Sequence, residues 1–219
     1  MKRIFSITLC IALLLSVGGC KKQGATGLER KLTQKIVDAK SITGNLKGTV
    51  KTEISGMGTE EIEMDGNFSV DTKSGFPVFN LKGTMGVGSF LNLPLELSIN
   101  EEEYTASLLG QSKTSPLKKD TAEQTKEAMK LISKHHASIN RTVTESSYEG
   151  KPALEIIYDA NMLNMVLSRT SLKDVKIENL MLYYVLTEEN ELDMILINLK
   201  LSNGKISEIN AALDITSIE

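Results

Sequence analysis

From Gly44 onward the apolar residues fall at every second position, and a period of two commits a chain to strands with one dry face and one wet face. Leu46, Gly48, Val50, Thr52 and Ile54 share one face, against Asn45, Lys47, Thr49, Lys51 and Glu53. After Gly56-Met57-Gly58 the alternation resumes, with Ile62, Met64, Gly66, Phe68 and Val70 opposite Glu61, Glu63, Asp65, Asn67, Ser69 and Asp71. A third stretch sets Phe79, Leu81, Gly83, Met85 and Val87 against Asn80, Lys82 and Thr84; a fourth sets Leu91, Leu93, Leu95, Leu97 and Ile99 against Asn92, Pro94, Glu96 and Ser98. Asp65-Gly66 is a hairpin signal by itself. The alternation runs through it unbroken, so one long strand bent at Gly66 is expected. Gly83, Gly86 and Gly88 act the same way, since strand glycines mark bends and bulges and several together suit a strongly curved sheet. Pro94 lacks an N–H, which predicts an edge strand or a bulge at that point.

Around these strands the period changes. Thr26-Gly27-Leu28-Glu29 fits a capping box, and Leu28, Leu32 and Ile36 follow at helical spacing, which predicts a helix from about Leu28 to Ala39 that Gly44 stops. Tyr104 to Leu109 continues the strands weakly, and the polar stretch Gly110 to Asp120 is expected to be a long exposed loop. Asp120 or Thr121 can cap a second helix from about Ala122 to His136, burying Ala128, Met129, Leu131 and Ile132. A hairpin is expected from Asn140 to Tyr158 about the turn Glu149-Gly150-Lys151-Pro152, and then a short apolar helix from Asn161 to Arg169. Three strands close the chain, Ile177 to Thr187, Leu192 to Leu201 and Ile206 to Ile218, with turns at Glu188 to Asn190 and Asn203-Gly204. Leu180 to Leu186 is apolar on both faces, which predicts a central position covered on both sides. About nine strands and three short helices result: an α+β domain with a strongly curved antiparallel sheet, an unclosed half-barrel, its concave face covered by the helices.

The start of the chain says where such a domain works. Lys2 and Arg3 precede an apolar run from Ile4 to Val17, and Val17-Gly18-Gly19-Cys20 leads into Lys21, Lys22 and Gln23. This is the layout of a secretion signal, and the run falls short of the roughly 20 residues a spanning helix needs. The four residues ending at Cys20 resemble a lipobox, which implies a bacterial lipoprotein precursor: residues 1–19 a signal peptide, Cys20 carrying a diacylglyceryl thioether, residues 20–27 a tether, and residues 28–219 one domain. The membrane is then a partner through the anchor at Cys20, and the protein sits at the cell membrane on its extracytoplasmic side, held firmly because two apolar chains anchor where one does not. Lys21 to Ala25 reaches at most about 17 Å, which keeps the domain near the bilayer. Lys21 and Lys22 either lie against anionic headgroups, at about 1 kcal/mol each, or keep the linker solvated.

Charge and residue types bound the chemistry. Losing Lys2 and Arg3 with the leader takes the formal charge from −3 to −5, so no electrostatic case for nucleic acid exists. Cys10 leaves with the leader and Cys20 is the lipid site, so no thiol remains for a disulfide or a thiolate metal site. The neighbours His135 and His136 point about 100° apart on a helix and do not converge on an ion. Glu101-Glu102-Glu103 reads as a solvated turn. Gly83-Thr84-Met85-Gly86-Val87-Gly88 is not a phosphate-binding glycine pattern, and no serine sits in a nucleophile elbow. No enzyme, cofactor or metal is expected.

The order helix, β-meander, helix, hairpin, short helix, β-meander, with its glycine-rich curvature and lipobox, resembles the bacterial lipoprotein carrier superfamily, the LolA/LolB-like and LppX/LprG-like proteins. That resemblance implies an unclosed barrel holding acyl chains or other hydrophobic ligands between sheet and helices. The residues independently supply a lining for such a cavity: Ile62, Met64, Phe68, Leu81, Met85, Leu93, Leu95 and Leu97 on the sheet, with Met162, Leu163 and Met165 as an adaptable lid. Burial of an acyl chain gains about 0.8 kcal/mol per methylene. The partner expected from this reading is a lipid or hydrophobic small molecule. The rival reading is a non-catalytic protein-binding or scaffold module with a filled core, meeting an envelope protein through the sheet's outer face or the stretch Gly110 to Asp120.

Overall fold

A computed structural model describes residues 24–54, 58–87, 92–123, 125–127, 139–168, 175–202 and 206–219. Cys20, the two histidines, and Ala128, Met129, Leu131 and Ile132 of the second helix lie outside them. The chain runs through α1 (Ala25–Asp38), β1 (Ser41–Ile54), β2 (Gly58–Asp71), β3 (Val78–Val87), β4 (Asn92–Ile99), β5 (Glu103–Leu108), β6 (Gln111–Pro116), β7 (Arg141–Tyr148), β8 (Lys151–Tyr158), α2 (Ala160–Leu167), β9 (Ile177–Leu186), β10 (Leu192–Leu201) and β11 (Ile206–Ile218). Residues 119–123 and 125–127 are also helical.

All eleven strands join one antiparallel sheet in the order β6-β5-β4-β3-β2-β1-β11-β10-β9-β8-β7. Two meanders therefore meet where the first strand pairs with the last, from Ile42 opposite Ile218 to Thr52 opposite Ile206. The sheet is an unclosed, curved α+β half-barrel, as the alternation predicts. Its buried face carries Leu46, Val50, Phe68, Val70, Phe79, Leu81, Leu95, Leu97, Ile99, Ile156, Leu182, Ile195, Ile197 and Leu213 in one continuous core. Leu32 and Ile36 of α1, Leu163 and Leu167 of α2, and Ala122 pack into that core from the helical side.

β2 is one strand through Gly66, and the reason lies across the sheet. Gly66 sits opposite Gly83 of β3. A Cβ on Gly66 would stand 2.5 Å from the Lys82 carbonyl oxygen, and a Cβ on Gly83 would stand 2.0 Å from that of Asp65. The two backbones approach too closely for any side chain, which is how the sheet bends there.

Four expectations need correction. The stretch from Gly110 is not a loop: Leu109 and Gly110 take positive φ of 53° and 75°, forming a two-residue hairpin turn, and β6 pairs with β5 from Glu103 opposite Pro116 to Leu108 opposite Gln111. As an edge strand exposed along nearly all its length it needs no apolar face, so it leaves no alternation to read. Its presence, with β5 as a separate strand, raises the count from nine to eleven. β4 is not an edge, since it pairs with β3 and β5. The Pro94 carbonyl accepts from the Leu109 N–H at 3.4 Å, so its nitrogen also faces the β5–β6 turn, beyond the β5 ladder that starts at Leu95. No capping box forms either: α1 starts at Ala25 behind Gly24, whose φ is 101°, with no side-chain cap. Thr26 lies within the helix and Glu29 is buried. Finally, β9 and β10 are central but covered on both sides only in part: outward Val185 is fully buried, whereas outward Met181, Tyr183, Met194 and Leu196 stay half-exposed.

The close approach of β2 and β3 makes Gly83→Val costly. The unfolding free energy is expected to fall by about 1–3 kcal/mol, read as a lower denaturant midpoint. Gly86→Ala, whose nearest neighbours are the side chains of Asn92 and Glu63, is expected to shift it far less.

Candidate functional site

The concave wall of β2, β3 and β4 is built in cross-strand rows. Val70, Phe79 and Ile99 form one row and Phe68, Leu81 and Leu97 the next, and every member is buried. Gly66, Gly83 and buried Leu95 form the third. Met64, Met85 and Leu93 form the fourth, and all three are only half-buried, as is Ile62 one step further along β2. Inward-pointing apolar side chains thus run from fully covered to half-covered along a single wall, with the side-chain-free glycine pair between.

The predicted lining therefore divides in two. Phe68, Leu81, Leu95, Leu97 and Leu163 belong to the packed core, whereas Ile62, Met64, Met85, Leu93 and Met162 are half-covered, Met64 and Met85 being packed against that core. Met165 points away from the core at 51% exposure. α2 is pinned from below: Asn164 donates to the Ile177 carbonyl and accepts the Ile177 N–H, both at 2.8 Å.

Under α1 lies a polar cluster absent from the expected site. Glu29 is fully buried and takes a two-pronged ion pair from Arg141 of β7, Nε to Oε1 at 3.0 Å and Nη2 to Oε2 at 2.9 Å. Thr33 Oγ1 lies 2.9 Å from the Glu29 carbonyl oxygen, 3.0 Å from its Oε1 and 3.1 Å from the Tyr184 hydroxyl. Burial pulls the Arg141 pKa down, but Glu29 outweighs it and the net direction is upward. Burial pushes Tyr158 and Tyr184 well above the ordinary tyrosine value, Glu29 adding to it. Only the helical spacing of Glu29 and Thr33, four residues apart on the apolar side, hinted at this cluster.

The outer face carries a groove of about 750 Å³. Two adjacent cross-strand rows floor it. One runs Tyr183, Leu196, Ala212, Lys47, Asp65, Thr84; the other runs Met181, Asn198, Asn210, Thr49, Glu63, Gly86, Asn92. The β9–β10 end is apolar, and Ile157 of β8, beside Met181, is 41% exposed. The middle is an amide ladder in which Asn198 donates to Asn210 and Asn210 to Glu208. The β1–β2 end is charged, with Lys47 3.7 Å from Asp65. Tyr183 donates to the Glu155 carboxylate at the opposite rim. Of the eleven predicted lining residues, Met64 alone contributes to this groove.

Among the described residues no group of three or more His, Cys, Asp or Glu gathers as a metal site, and no helix is long and apolar enough to cross a membrane. No protein-family model matches the chain, and no curated protein matches it in sequence. Among solved structures, the lipoprotein LppX from Mycobacterium tuberculosis aligns over 97% of this chain and 95% of its own, at 9% identity and a TM-score of 0.44. LprF from Mycobacterium bovis aligns over 95% and 93%, at 10% identity and 0.37. A β-barrel-like protein of the domain of unknown function DUF1849 from Brucella abortus aligns over 81% and 80%, at 12% identity and 0.28.

Breaking the buried pair one-sidedly leaves an uncompensated charge. Arg141→Met is expected to cost about 3–5 kcal/mol of stability, and the double variant Glu29→Leu/Arg141→Met to recover most of it; paired denaturation curves check this. The raised tyrosines set an alkaline limit. Their hydroxyls stay protonated in the fold while the unfolded chain ionises near pH 10, at about the ordinary value, so stability holds below that pH and falls as pH rises above it. Tyr184→Phe is expected to flatten that fall in denaturant midpoints taken between pH 8 and 12.

Proposed function

We propose that this chain is a membrane-anchored envelope lipoprotein that holds a hydrophobic ligand, a lipid or acyl chain, against the concave face of its half-barrel. One observation carries the reading: Ile62, Met64, Met85 and Leu93 point inward from the same wall as the packed core yet stay half-covered. Half-exposed inward apolar surface forgoes about 25 cal/mol for each Å² left wet, and an acyl chain laid along that row recovers it. Methionine suits such a lining because its unbranched, polarisable side chain refits to different occupants. Met162 on α2, half-covered, supplies the same adaptability at the helical side, whereas Met165 faces away from it. The anchor at Cys20 is read from the leader and the residues that precede it.

The outer groove favours a second reading, a module that meets an envelope protein. Met181, Leu196 and exposed Ile157 offer an apolar footing beside carboxylates and amides, the composition of an interface with a polar rim.

The two readings separate by variant. Leu93→Asp, at a half-covered position, is expected to leave the fold intact and cut the acyl content seen by native mass spectrometry of gently purified protein at least several-fold. Leu95→Asp, at a buried position, is expected to unfold the domain by burying an unpaired charge. Unchanged acyl content in folded Leu93→Asp sinks the concave-face reading. Met181→Glu with Leu196→Glu is expected to leave acyl content intact; loss of an envelope-protein partner with ligand retained would support the second reading. Cys20→Ser is expected to release the protein from the membrane fraction or stall the precursor, and unchanged attachment on fractionation counts against the anchor.

A further inference from the structure

The first helix starts at the end of the half-barrel where the concave wall is least covered. Glu29, one turn into α1, pairs with Arg141, the first residue of β7, while Lys35 towards the other end of the helix pairs with Glu191 in the β9–β10 turn. α1 therefore begins at the end of the sheet opposite that turn, where β7 and β9 start and β8 finishes. Followed through the antiparallel ladders, the same end is where β1, β3 and β10 finish and β2, β4 and β11 start. Ile62 early in β2, Met85 late in β3 and Leu93 early in β4 are the half-covered inward side chains nearest that end. α2 lies there too. Asn164 ties it to Ile177, the first residue of β9, and Met162 Sδ accepts from the Asn140 N–H at 3.4 Å.

The large apolar side chains left exposed among the described residues gather at this end as well. They are Leu109, 63% exposed in the β5–β6 turn beside Pro94 near the start of β4, Ile157 at the last step but one of β8, and Met165 on α2. Scattered singly, such residues need no explanation; here all three share the end from which the chain leaves towards Cys20. That cysteine stands four residues before Gly24, and four residues span at most about 14 Å. A two-chain anchor at Cys20 therefore holds this end, and not the β9–β10 turn, against the bilayer. Exposed Glu53 and Glu178 stand there too, so apolar insertion rather than attraction to anionic headgroups makes the contact. We propose that the half-barrel stands on its own membrane with the half-covered end down, Leu109 and Met165 dipping into the interface, so that a hydrocarbon chain passes between bilayer and concave wall without crossing water. This rests on the anchored, concave-face reading above and adds the surface through which that ligand is exchanged.

The test uses the mature chain with its anchor, purified from the membrane of the cells that make it and reconstituted into phosphatidylcholine vesicles. With Cys10 lost in the leader and Cys20 taken by the anchor, a cysteine introduced at exposed Gln111, Asn161 or Glu189 is the sole free thiol and takes a fluorescent dye. Dyes at Gln111→Cys, beside the Leu109 turn, and at Asn161→Cys on α2 are expected to be quenched by brominated phosphatidylcholine at least threefold more than the dye at Glu189→Cys in the β9–β10 turn. That difference is expected to survive high salt and to vanish when Leu109→Glu and Met165→Glu are added. The same double variant is expected to slow the passage of a fluorescent dodecanoate from vesicle to protein at least fivefold while leaving the final amount bound unchanged. Equal quenching at the two ends, or stronger quenching at Glu189→Cys, overturns this inference and leaves the anchor and the concave-face reading standing. Unaltered passage in the double variant overturns exchange through this end. Quenching that disappears in high salt assigns the contact to charge and overturns the apolar insertion. Wild-type protein that does not stay with the vesicles overturns the anchor, and wild-type protein that stays but takes up no dodecanoate overturns the concave-face reading; the inference falls with either.

Discussion

Everything in this structure hangs on the antiparallel seam between β1 and β11. Each meander, β1 to β6 and β7 to β11, is built from neighbours in sequence. The seam alone ties residues near 45 to residues near 213 and turns two half-sheets into one eleven-stranded wall. Leu46 opposite Leu213 and Val50 opposite Ile209 bury four apolar side chains at its centre. Closing so long a chain segment costs entropy before any contact repays it, so the seam stands only because both flanking strands are apolar toward the same core.

Curvature follows from a second constraint. The Gly66–Gly83 contact between β2 and β3, and Gly44 against the Asp214 carbonyl of β11, remove side chains where neighbouring backbones crowd together. A bent sheet has two unlike faces. The inner one collects the apolar core and the helices. The outer one, wet by alternation, becomes a shallow groove across β9, β10, β11 and β1 to β4 whose character changes from apolar to charged along its length.

The buried polar cluster sets the electrostatic character of the helical side. A bidentate Glu29–Arg141 pair crosses from α1 to β7, and Thr33 and Tyr184 complete its hydrogen bonds. That pair ties the first helix to an edge of the sheet.

Much of this was legible residue by residue, because alternation and helical spacing are local. The long bent β2, the inward order of Phe68, Leu81 and Leu97, α1 and α2 to within three residues, and the closing three strands all follow from periods of two and 3.6. β6 was not legible, since an edge strand wet on both faces carries no period, and neither was the setting of Pro94, which depends on where β5 stops. Glu29 looked like a cap because a carboxylate near a helix start satisfies free N–H groups; its burial against Arg141 depends on a residue 112 positions away. The same holds for the candidate site. Which apolar residues point inward was set by sequence alone, through alternation. Which of them are packed and which stay half-covered, and that the outer face folds into a groove, was decided only in three dimensions, because coverage depends on helices and strands that meet from distant parts of the chain.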